Sequence, residues 1–185
     1  MKYEYRVMKY DPKLRDSSDS YIREDWTSIS QLGQSFAGRK LTMRDYLRAE
    51  KNFLAVMSAM LEEAKVTQFR LLGLEKAKVG RQANRNRWRE GAVLSLRQAT
   101  DFARLALREE LWGMLIAPRR AFVHFGYDYY MYVGLSRLTP SALDLAARVG
   151  IFVEPFRSPY SEASSQISRR LQQNKCISNR RQDAT

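Results

Sequence analysis

The chain has 185 residues, 44% hydrophobic and 28% charged, with five prolines and nine glycines; this composition excludes a disordered, collagen-like or disulfide-stapled chain and suits one domain with a real core. Its net charge of +12 points to nucleic acid until it is divided along the chain: residues 75–90 and 157–185 carry +4 each, and the remainder is close to neutral. MKYEYRVMKY is too charged for a leader, no apolar run reaches the length of a membrane span, and Cys176 is the only cysteine, so a cytoplasmic protein without membrane contact is expected.

In KYEYRVMKY, Tyr3, Tyr5 and Val7 alternate with Glu4, Arg6 and Met8, the period of a half-buried strand. DPKLRDSSDS is dense in turn formers, and WTSIS around Trp26 reads as a short strand or loop before Gly33 and Gly38. Thr42 and Asp45 have capping-box-like spacing, and Met43, Tyr46, Leu47, Phe53, Leu54, Met57, Met60 and Leu61 follow on one helical stripe. Residues 66–74 read as a second strand.

Residues 75–90, EKAKVGRQANRNRWRE, lack apolar periodicity and are expected to form an exposed basic loop, either irregular or in part helical. AVLSL is either a short strand or the lead-in to a second helix, expected to run through QATDFARLALREELWGMLI until Pro118 stops it. FVHFGYDYYMYVGL, residues 122–135, reads as one long strand. Thr139 and Pro140 open a short helix that Gly150 closes, and IFVEPF, residues 151–156, reads as an edge strand because Pro155 cannot donate a ladder hydrogen bond. In the polar segment that follows, Ala163, Ile167 and Leu171 recur every four residues, the spacing of a docked helix.

The expected fold is α+β: a two-layer sandwich with a four- to five-stranded, mostly antiparallel sheet, two long helices and one short one. Residues 1–160 form the domain, and 161–185 a basic polar tail, partly helical or disordered.

Catalytic chemistry is thinly supplied. One histidine and one cysteine do not make a nucleophilic triad or an ordinary zinc site, and no dinucleotide, P-loop or HExxH motif occurs. No cofactor, metal or catalytic residue is expected. His124 and Asp128 share a face of an unbroken strand but lie roughly 13 Å apart at 3.3 Å per residue, unless Gly126 bends the chain.

Two binding surfaces are candidates. Strand alternation puts Val123, Phe125, Tyr127, Tyr129, Met131, Val133 and Leu135 toward the core; the other face offers His124, Asp128, Tyr130 and Tyr132 to a protein partner. The alternative is that the chain's own loop 11–40 or its tail covers that face. Arg81, Arg85, Arg87 and Arg89 with Trp88 would suit phosphate contacts and base stacking.

The blocks YEYRV, EDWTS, LTMRDYLRAE, FVHFGYDYYMYVG and GIFVEPFRSPY resemble bacterial immunity-type proteins of polymorphic toxin systems over residues 1–160. The resemblance implies a non-enzymatic inhibitor of one cognate toxin. Two other functions compete with it: an RNA-binding accessory protein using loop 75–90 and the tail, and a histidine-poor ribonuclease.

Overall fold

The computed structural model describes residues 1–18, 20–76 and 87–162. The expected tail helix and the arginines Arg81 and Arg85 lie outside these residues. The architecture is α+β, with more strands than expected and a different second helix.

Strand β1 (Tyr3–Met8) is followed by a short ribbon, β2 (Ser35–Phe36) with β3 (Arg39–Lys40), and by helix α1 (Met43–Glu63). Then come β4 (Gln68–Lys76), β5 (Val93–Ser95), helix α2 (Leu96–Leu107), β6 (Leu111–Ala117), β7 (Ala121–Phe125), β8 (Met131–Leu135), helix α3 (Pro140–Val149) and β9 (Phe152–Pro155). Seven strands form one antiparallel sheet in the order β5-β4-β6-β7-β8-β1-β9. WTSIS forms no strand; Ser28 caps a single 3-10 turn there.

The core lies between the helices and the front face of the sheet. The α1 stripe buries Tyr46, Phe53, Leu54, Met57, Met60 and Leu61 against Val7, Phe69, Leu115, Val123, Met131 and Val133. Each side chain so buried stabilises by roughly 1.5–3 kcal/mol. Thr42 caps α1 as its spacing predicts: its hydroxyl accepts from the Asp45 N–H at 3.2 Å and donates to the Asp45 carboxylate at 2.6 Å.

Two expectations need correction. The second helix ends at Leu107, and LWGMLIA, expected to continue it, is β6. Glu109 turns the chain with φ +59°, and β6 then enters the middle of the sheet. A strand buried on both faces has no polar alternation, so its apolar run mimics a buried helix. Gly113 is the local sign of a strand: a Cβ there would lie 3.0 Å from the Phe102 ring and 3.3 Å from the Leu72 carbonyl oxygen.

The second correction concerns residues 122–135, which form two strands joined by a tight turn. Tyr130 N–H donates to the Tyr127 carbonyl at 3.1 Å, and Gly126 N–H to the Tyr130 carbonyl at 2.9 Å. The expected set of core-facing residues is therefore broken: Tyr129 is buried at 5% exposure and Tyr127 stands out at 86%.

Candidate functional site

Behind the sheet, strand register lines up Glu154, Arg6, Tyr132, His124, Met114 and Leu72 across six strands. The chain covers much of this back face itself. Phe156 and Tyr160 place their rings 5.8 and 6.0 Å from Tyr132, and Tyr160 also meets Trp112 at 5.7 Å. At the β1–β9 end, Arg15 reaches over and donates to both Glu154 oxygens, at 2.9 and 3.1 Å, while Arg6 donates to one of them. Burial raises the Glu154 carboxyl; the hydrogen bonds from Arg15 and Arg6 outweigh it and leave the pKa below the usual value.

His124 lies under this cover. Its ring stacks on Phe122 at 4.2 Å, and its Nδ1 is 2.7 Å from the Ser158 hydroxyl oxygen. Burial lowers its pKa from 6.5 to about 4, so it is neutral near pH 7. A serine beside a histidine has the makings of a nucleophile and base. Here both are sealed, at 3% and 0% exposure, and their bond instead fastens residues 156–160 to the sheet. Asp128 is not the partner of His124.

The four residues expected to meet a partner thus separate. His124 and Tyr132 are buried, Tyr130 is half-buried against Tyr10 and Arg6, and Asp128 is exposed at the tip of the β7–β8 hairpin. Of the basic loop, Arg87 and Arg89 are exposed, whereas Trp88 is buried against Phe102 at 5.4 Å and carries Arg87 over its ring. Its indole is therefore packed in the core, away from any base it was expected to stack on.

The tip has an unusual backbone. Asp128 and Tyr129 both have positive φ, +56° and +61°, as in the mirror-image turns that suit two-residue hairpins and normally select asparagine and glycine. Aspartate tolerates this region; for tyrosine it costs about 1–2 kcal/mol. Packing offsets that cost, because the Tyr129 ring meets Trp26 at 4.9 Å, Phe53 at 5.0 Å and Tyr46 at 5.8 Å, each edge to face. From beside it, the Tyr10 hydroxyl donates to the Asp128 carbonyl at 2.8 Å. No family model, curated protein or solved structure matches this chain.

Two hollows flank this region. One, of about 550 Å³, is lined by side chains of both signs that pair with one another, such as Lys9 with Asp25 at 2.6 Å and Arg39 with Asp45 at 3.0 Å. The other, of about 370 Å³, lies beneath the tip between Trp112, Tyr127 and the α2–β6 turn. Of its residues, Asp128 and Tyr130 belong to the face expected to meet a partner, whereas the sequence pattern puts Trp112 in a helix and Tyr127 in the core. Among the described residues, no group of histidine, cysteine and carboxylate side chains could hold a metal ion, and no helix is long and apolar enough to cross a membrane.

Proposed function

We propose that this chain is a non-enzymatic protein-binding protein, an immunity-type inhibitor of a cognate bacterial toxin, and that its contact is centred on the β7–β8 tip. One observation carries the reading: Tyr127 is 86% exposed on a turn whose neighbour, Tyr129, is locked into the core. A large ring presented on a rigid turn loses little conformational freedom on binding, and tyrosine is one of the residues enriched among the anchors of protein interfaces. Asp128 and the half-buried Tyr130 extend the same surface.

An inhibitor of this kind is expected to have a toxin module encoded beside its gene, and co-expression with that module tests the proposal. The chain should restore growth, and Tyr127→Ala should lose the rescue while its unfolding midpoint stays unchanged. Failure of the unaltered chain to protect would sink the inhibitor reading; protection untouched by Tyr127→Ala would remove the tip from it.

A further inference from the structure

The hollow beneath the tip differs in charge from the molecule around it. Glu75, Glu109 and Asp128 line it, and no lysine, arginine or histidine does so among the described residues, in a chain of net charge +12. None of the three carboxylates makes an ion pair within the described chain. Each comes from a different element. Glu75 follows a bulge in β4 and stands opposite Trp112 in the β4–β6 register, Glu109 occupies the left-handed position of the α2–β6 turn, and Asp128 occupies the first of the two in the hairpin.

The walls add a second preference. Trp112 and Tyr127 line the same space, and the Trp112 indole N–H is already used, donating to the Phe125 carbonyl at 2.9 Å. Aromatic faces flanked by carboxylates favour an organic cation over a bare ion, because the ring attracts the charge and receives the apolar stem. A small hard cation is a poor occupant: the three acids do not form a group able to hold a metal. A guanidinium fits better, being planar, weakly hydrated and able to stack on a ring while its edge donates to carboxylates.

We infer that the protein partner inserts an arginine side chain into the hollow formed by Glu75, Glu109 and Asp128 with Trp112 and Tyr127. This rests on the reading of the chain as a protein-binding inhibitor and names what its partner must present. The arm of the arginine then meets the aromatic wall, and the carboxylates that line the hollow offer acceptors to its head.

The full chain, isotope-labelled, should be titrated with a capped peptide of alternating glycine and arginine, with the glycine–glutamate peptide and spermidine as comparators. The arginine peptide should shift the Trp112 indole and the Tyr127 and Glu109 amide signals, and Glu75→Gln/Glu109→Gln/Asp128→Asn should weaken it at least tenfold without moving the unfolding midpoint. Asp45→Asn, in the other hollow, should leave the affinity unchanged. Shifts confined to the other hollow, equal binding by the triple variant, or an equal response to the glutamate peptide would each overturn the inference. Spermidine binding more tightly than the arginine peptide would do the same, by assigning the hollow to a free polyamine. The two claims separate in cells: a chain that binds the arginine peptide here but protects against no toxin removes the inhibitor and keeps the site. Protection that survives loss of all three carboxylates keeps the inhibitor and removes the arginine contact.

Discussion

Burial holds the imidazole of His124 neutral, its pKa lowered from 6.5 to about 4. The unfolded chain takes up a proton below about pH 6.5 that the folded chain refuses until about pH 4, so stability should fall as pH drops through that window, by roughly 3 kcal/mol in total. Urea unfolding between pH 7 and 4 would show the slope, and His124→Phe, which keeps a ring over Phe122, should flatten it. A second residue test lies one strand away. The Phe122 ring rests so closely on Gly134 that a Cβ there would collide with it. Gly134→Ala should cost about 1–3 kcal/mol in chemical denaturation, with part recovered by Phe122→Leu. At this scale legibility depended on distance along the chain. The Thr42 cap could be read because its partner, Asp45, is three residues on; Ser158 could not be found, because nothing near His124 signals a partner 34 residues away.

Between elements, Arg108 at the end of α2 ties that helix to α1, alongside the Tyr46 hydroxyl, which donates to the Leu107 carbonyl at 3.0 Å, and the Ser58–Thr100 hydroxyl pair at 3.1 Å. Arg108 donates to both oxygens of Glu50, at 2.6 and 2.8 Å, and the Glu50 side chain is 5% exposed against 31% for Arg108. The two ends of this pair are therefore unequal. Arg108→Met strands a buried carboxylate, with Arg104 at 3.8 Å as its remaining cation, and should cost about 3 kcal/mol; Glu50→Gln leaves an arginine able to reach water and should cost less than that. Thermal or urea unfolding of the two variants would reveal the order, and equal losses would contradict it. Elements were readable where period and punctuation agreed. The α1 stripe from Tyr46 to Leu61, apart from the exposed Met43 and Leu47, the alternation of β1 and the proline-marked edge strand β9 stand where expected. The failures at β6 and at 126–130 share one cause: tertiary burial overrode a local pattern, turning an apolar run into a central strand and a tyrosine into the hinge of a turn.

For the whole molecule, the short run from Phe156 to Tyr160 matters more than its polarity suggests. It closes the back of the sheet over His124 and Tyr132, through the Ser158 hydroxyl and the rings of Phe156 and Tyr160. A chain ending at Glu162 and one ending at Pro155 should therefore differ sharply, the shorter being less stable by a few kcal/mol and binding a hydrophobic dye that the longer does not. Matching denaturation curves would show that the cover is only laid on. The α+β class and the antiparallel sheet were legible; the closure of that face was not, because the residues that achieve it are few and sit in a segment with the composition of a tail.

The order of strands also bears on synthesis. Strand β1, the first to be made, lies between β8 and β9, two of the last. As the chain leaves the ribosome, β6, β7 and β8 can pair as they appear, each with its immediate neighbour. β1 must wait, unpaired and carrying the apolar face of Tyr5 and Val7, until Met131–Leu135 has emerged to receive it. An interval open to misassociation is thus written into the position of β1 in the sheet.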